Sequence, residues 1–271
     1  MLTITFLILL VLGLVAGIVA GLFGLGGGIL FTPILFIVFN DAGIENPVVL
    51  TIGTSLFCTF IAAAGSSIRQ FEQHNFYWAD GLKVGLLGTL GVTIGKWVIT
   101  SDFYSQQVFA IFFSLLLMYV AYIFIRRGRL KASGDIDNPE PVNWRESLVT
   151  GGLGGFVAAL AGIGGGGVMV PMLNLYYKKA FKKAVSVSSL AIVFISLSGW
   201  LQLALTGSDG AMTPYYFGYV DFGAALPMAI GGLAGGFLGA MLNLKIERKY
   251  LQFAFSLLAL AMALKLLAEV Y

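Results

Sequence analysis

Apolar residues fall along this chain in long unbroken runs, and polar positions are confined to the short intervals between them. Ten runs stand out, at about 3–23, 29–39, 47–68, 78–100 and 104–125, then 147–162, 167–177, 184–205, 218–242 and 250–270. Most approach or exceed the ~20 residues that an α-helix needs to cross a hydrocarbon layer of ~30 Å. The second run of each group of five does not. At 11 residues and about 1.5 Å of rise per residue, it reaches only about halfway across. Each short run follows a glycine cluster, Gly24-Leu25-Gly26-Gly27-Gly28 or Gly162-Ile163-Gly164-Gly165-Gly166-Gly167. The first two runs of each group are therefore expected to form a broken or re-entrant helix pair, followed by three spanning helices. The pattern predicts an all-α polytopic membrane protein with eight to ten transmembrane segments.

Composition supports that class and excludes others. Of 271 residues, 58% are hydrophobic and only 11% are charged, whereas a soluble domain carries about 25% charge. The apolar surplus must face lipid, because one soluble core cannot hide it. The net charge of +3 comes from Lys and Arg in short loops, which sets topology and does not make a nucleic-acid surface. The lone cysteine, Cys58, excludes an internal disulfide and reads as a small apolar residue. The first run lacks a basic leader and continues into the glycine cluster, so it reads as a span and not as a cleaved signal peptide.

The two groups of runs are copies. GIVAGLFGLGGGILFTP at 17–33 aligns with GFVAALAGIGGGGVMVP at 155–171, identical at nine of 17 positions without a gap. Thr54-Ser55-Leu56 then pairs with Ser188-Ser189-Leu190, Gly65 with Gly199, and Gly91 and Gly95 with Gly235 and Gly239. The expected organisation is a first transmembrane repeat at 1–125, a polar linker at 126–146, and a second repeat at 147–271. The linker holds Arg126, Arg127, Arg129, Lys131 and Arg145, the 178–183 loop holds Lys178, Lys179, Lys182 and Lys183, and the loop near 245–249 holds Lys245, Arg248 and Lys249. Positive loops belong in the cytoplasm. Asp41, Glu45, Asp102 and Asp209 then fall outside, and so do both termini. Each repeat crosses an odd number of times, so the two copies are expected to be inverted about an axis in the membrane plane.

An inverted repeat with one interrupted pair in each half is the sequence pattern of a secondary transporter, with substrate held where the interruptions meet. The candidate binding residues are Gly24, Gly26, Gly27, Gly28, Gly164, Gly165, Gly166 and Gly167, whose backbone amides would start two half-helices and attract an anion. Thr54, Ser55, Ser188 and Ser189 occupy equivalent repeat positions and could donate to an oxyanion, or equally bond back to their own helices. Asn174 and Gln202 are weaker candidates. Arg69, Lys83 and Lys96 read as interfacial charges. Gly85, Gly88, Gly91 and Gly95, and the run from Gly231 to Gly239, read as helix-packing positions. Gly162, Gly164 and Gly167 satisfy G-x-G-x-x-G, but no βαβ pattern or following acidic residue supports a dinucleotide site. No phosphate-loop Lys-Ser or Lys-Thr follows either cluster.

No span carries a carboxylate near its middle, and the single histidine, His74, lies in a polar loop. The reading therefore invokes no metal, no cofactor and no enzyme, and any proton would travel on a weak-acid substrate. The paired G-x-G-G-G motifs followed five residues later by Pro33 or Pro171, in two halves of four to five spans, resemble the TauE/SafE family of sulfite and organosulfur anion exporters. The resemblance covers nearly the whole chain. It implies transport of a small sulfur-containing anion such as sulfite or a sulfonate across a bacterial cytoplasmic membrane. The residues alone reach only an anion carrier, and leave open a passive anion channel, a carrier for a carboxylate, and a homodimeric assembly.

Overall fold

The computed structural model describes residues 2–23, 27–72, 77–129, 140–207, 215–242, 256–257, 259–266 and 268. In chain order the helices are α1 (Leu2–Phe23), α2 (Gly28–Asp41), α3 (Val48–Glu72), α4 (Trp78–Ile99), α5 (Gln106–Arg129), α6 (Trp144–Ala161), α7 (Gly166–Pro171), α8 (Phe181–Ala204) and α9 (Phe222–Leu242). A tenth helical segment, α10, covers 259–266. The protein is an all-α polytopic membrane protein. Five helices, Val48–Glu72, Trp78–Ile99, Gln106–Ile123, Phe181–Ala204 and Phe222–Gly239, are long and apolar enough to span, while Gly28–Asp41 is shorter.

The short second runs take the form that their sequences dictate. α2 has 14 residues with Pro33 inside it. α7 ends at Pro171 and continues as a wider π-helical turn over Met172–Tyr176. Proline cannot donate to the carbonyl four residues back, so the ladder loosens around it. The Asn174 side chain then closes the end of the segment by donating from Nδ2 to the Lys179 carbonyl at 2.8 Å. The apolar run at 218–242 is not helical from its start. A two-stranded hairpin pairs Tyr216 with Asp221 and Phe217 with Val220, turning at Gly218, and α9 begins only after it. Asp221 decides that boundary, because its Oδ1 accepts the Ala224 N–H at 2.8 Å and caps the helix.

Packing is organised around α3 and α8. α3 packs on α8 and α9, α8 packs on α3 and α4, α1 packs on α9, and α4 packs on α6. If the sequence correspondence is taken to pair α1 with α6, α3 with α8 and α4 with α9, this set of neighbours maps onto itself. α3 and α8 run antiparallel, since Gly199 faces Leu56 while Ser189 meets Gln70. Glycine stripes make the closest seams. A Cβ at Gly91 would overlap the Gly152 carbonyl oxygen, and one at Gly235 would overlap that of Leu14. Both glycines therefore serve close helix approach.

Ion pairs gather at the linker-side ends of α4, α6 and α8. Lys183 Nζ lies 3.1 Å from Asp80 Oδ2, Lys83 lies 3.8 Å from Asp80 Oδ1, and Lys179 lies 3.5 Å from Glu146 Oε2. Lys183 also donates to the Glu140 carbonyl at 2.5 Å, and Lys179 to that of Pro141 at 3.3 Å. These contacts fix the residues that lead into α6 against both halves. The Asn143 N–H meanwhile donates to Glu146 Oε2 at 3.0 Å across the first turn of α6.

Candidate functional site

Each half-helix begins on a glycine with left-handed backbone, Gly27 at φ 79° before α2 and Gly165 at φ 80° before α7. A side chain is strained in that conformation, so the glycine lets the chain reverse out of one helix and straight into the next. The Gly27 carbonyl accepts the N–H groups of Leu30 and Phe31 at 3.0 and 3.1 Å, and the Gly165 carbonyl accepts those of Val168 and Met169 at 3.1 and 3.0 Å. The two starts are built alike, at equivalent repeat positions.

The breaks meet in space. A Cβ on Gly28 would overlap the Cα of Ile163 and lie 2.8 Å from the Gly162 carbonyl oxygen. A hydrogen-bonded chain runs across this contact. Thr32 Oγ1 and Ser55 Oγ are 2.8 Å apart, and Ser55 donates to the Gly162 carbonyl at 2.9 Å. The last carbonyls of α6 would otherwise be orphans. Ser55 occupies that of Gly162, and the Tyr104 hydroxyl, from the loop between α4 and α5, donates to that of Leu160 at 2.8 Å. Burial pushes the Tyr104 hydroxyl pKa well above its ordinary value, so it stays protonated for that bond.

Two residues beyond Gly162, the second break presses into the seam between α3 and α8. A Cβ on Gly164 would lie 2.7 Å from Thr59 Cγ2, 2.7 Å from Ile192 Cγ2 and 3.1 Å from Ser196 Oγ. Thr59 and Ser196 are fully buried, and neither hydroxyl has a hydrogen-bond partner among the described residues. Ser67 on α3 and Ser188 on α8 are also buried with no hydroxyl partner among the described residues.

The residues singled out from the sequence separate accordingly. Gly28 meets the second break and Gly164 the α3–α8 seam, Gly27 and Gly165 carry the left-handed turns before α2 and α7, Gly166 begins α7, and Gly167 faces Val120, whose Cγ2 would be 3.2 Å from an added Cβ. Gly24 and Gly26 lie outside the described residues. Ser55 belongs to the chain that ties α3 to the second break. Thr54 Oγ1 accepts the Asp221 N–H at 3.0 Å, and Ser189 Oγ accepts from Gln70 Nε2 at 3.0 Å. Ser188 is the one of these four hydroxyls with no partner among the described residues. Sequence reading missed Thr59 and Ser196. A usable signal existed, since Thr51, Ser55 and Thr59 are spaced by four and Ser188 and Ser196 by eight, which places each set on one helical face. Among the described residues, no three His, Cys, Asp or Glu side chains gather as a metal site requires.

Comparison with known proteins decides the family. The profile of the sulfite exporter TauE/SafE family matches residues 9–266. The chain belongs to the TauE/SafE family. It is 31% identical over 250 residues to a probable membrane transporter protein of Methanocaldococcus jannaschii, covering 92% of this chain and 90% of that relative. It is 28% identical over 261 residues to the probable membrane transporter protein YunE of Bacillus subtilis, covering 90% of this chain and 91% of that one. A probable membrane transporter protein of Haemophilus influenzae is 27% identical over 267 residues, covering 97% of this chain and 98% of its own length. No solved structure matches. This TauE/SafE chain is thus a multi-pass protein of a membrane-transporter family.

Proposed function

We propose that the chain is a secondary transporter that exports a small sulfur-containing anion, such as sulfite or an organosulfonate, across the cytoplasmic membrane. Its termini lie outside, and the two halves act as inverted repeats that rock around a site at the glycine junction. The observation that carries this reading is the contact of Gly28 with Gly162 and Ile163, which brings the two interrupted pairs together beside buried hydroxyls. The start of α2 lies against the break that leads into α7, and the backbone amides and positive dipole end of a half-helix start suit a small oxyanion. The antiparallel passage of α3 against α8, equivalent helices of the two halves, supports the inverted relation. The family's description as sulfite exporters favours a sulfur oxyanion.

The test is uptake of sulfur-35-labelled sulfite into proteoliposomes, with and without unlabelled substrate on the opposite side and with an imposed pH gradient. Saturable uptake accelerated by trans sulfite is expected of a carrier. Flux that neither saturates nor responds to trans substrate identifies a pore, and no flux of any sulfur anion removes the substrate assignment.

A further inference from the structure

Serine and threonine hydroxyls in membrane helices ordinarily bond back to a carbonyl one turn earlier. Ser66 does so to Ala62 at 3.1 Å, Thr93 to Thr89 at 3.0 Å and Thr206 to Gln202 at 2.7 Å. Thr59 and Ser196 have the same option, yet their hydroxyls are left without a partner while fully buried. Orphaned buried hydroxyls are destabilising, and native interiors rarely keep them without a purpose. These two lie on facing helices, both against Gly164, Thr59 through its methyl and Ser196 through its hydroxyl, and Thr59 is midway along α3.

Taking the chain as the anion carrier proposed above, we infer that Thr59 and Ser196 hydrogen-bond the transported anion, and that their site takes a singly charged oxyanion in preference to a dianion. The distribution of charge leads to the second half of this statement. Every charged residue in α1 to α9 lies within six residues of a helix end. On α3 these are Arg69 and Glu72, on α8 Lys182 and Lys183, on α6 Arg145 and Glu146, and on α4 Asp80, Lys83 and Lys96, while α7 and α9 carry none. Lys183, the most buried cation among the described residues, is already held by Asp80. Asp221, whose N–H meets Thr54 five residues before Thr59 on α3, is buried and supplies no positive charge.

A site of neutral hydroxyls and backbone amides can solvate one negative charge, but a second would stand uncompensated in a low-dielectric interior. Hydroxyls also accept as well as donate, so an oxyanion that keeps a proton, as hydrogensulfite does, finds an acceptor for its O–H. An organosulfonate is a monoanion without a proton and satisfies the same charge rule.

The experiment measures the concentration dependence of labelled sulfite uptake into proteoliposomes for the wild type and for T59V, T59S and S196A, each first checked for a single size-exclusion peak. T59V preserves the side-chain shape, T59S preserves the hydroxyl, and S196A removes one atom. The expected result is a KM raised about tenfold in T59V and in S196A, as for loss of a hydrogen bond to a charged group, with T59S near the wild type. In the wild type, methanesulfonate should inhibit sulfite uptake, and sulfate at the same concentration should not. Wild-type KM in both T59V and S196A, or T59S behaving as T59V does, overturns the hydroxyl assignment. Should T59V fail to fold, S196A alone decides. Inhibition by sulfate equal to that by methanesulfonate overturns the charge preference. Failure of the wild type to move any oxyanion is a different result, because it removes the carrier reading itself and this inference with it.

Discussion

Gly165→Ala puts the largest structural demand on the smallest chemical change. Alanine at φ 80° sits in the left-handed region, at a cost of about 1–2 kcal/mol. Its Cβ would also overlap the Gly154 carbonyl oxygen and lie 2.7 and 3.1 Å from the Gly154 C and Cα. Those atoms are backbone of α6 and cannot rotate away, so α7 must shift, adding about 1–3 kcal/mol of overpacking. Together the change should destabilise the fold by about 2–5 kcal/mol. Gly152→Ala is the matched control on α6, with ordinary backbone and nothing within 4 Å of an added Cβ, and it should stay within about 1 kcal/mol of the wild type. Thermal unfolding in detergent, followed by size exclusion, ranks the three proteins. Gly165→Ala is expected to melt on the order of 10 °C lower and to lose sulfite flux in proteoliposomes, while Gly152→Ala keeps both. If Gly165→Ala melts with the wild type, the left-handed turn and the α6 contact do not constrain this break and the reasoning is wrong.

Three further outcomes are expected. Ser55→Ala removes the bond to the Gly162 carbonyl and strips Thr32 of its partner. It should cost about 1–3 kcal/mol in detergent melting, and an unchanged melting temperature would show that the cross-junction chain is dispensable. Asp80→Asn leaves Lys183 buried without its counter-ion and should destabilise by about 3–5 kcal/mol, whereas the double change with Lys183→Met should recover most of that loss. Equal stability of the single and double variants would contradict the pairing. A reporter active only in the cytoplasm, fused after Tyr271, should be silent if both termini are outside, and a strong signal would overturn the topology.

The sequence carried the elements because each is written locally. Hydropathy alone separates spans from loops, since a backbone in lipid must satisfy its own hydrogen bonds as helix. The short runs announced themselves through glycine clusters that no continuous helix tolerates, and Gly27 and Gly165 do take left-handed backbone there. The hairpin before α9 was not legible in this way. Its start depends on Asp221 capping the helix and on strand pairing between residues that read as one apolar run.

The candidate site divides along the same line. That two glycine breaks exist is a property of the chain, fixed by residue type and internal repetition. That Gly28 of one rests on Gly162 and Ile163 of the other is a contact between positions more than 130 residues apart, which no local pattern encodes. Ser55 and Thr59 are equivalent in chemistry and one turn apart on α3, yet one hydroxyl is spent on the Gly162 carbonyl and the other has no partner among the described residues. Residue type and spacing determined which groups could meet an anion. Only the packing of α3, α8 and the second break decided which of them remain unpaired, because a hydroxyl's availability depends on the neighbours that the fold brings to it.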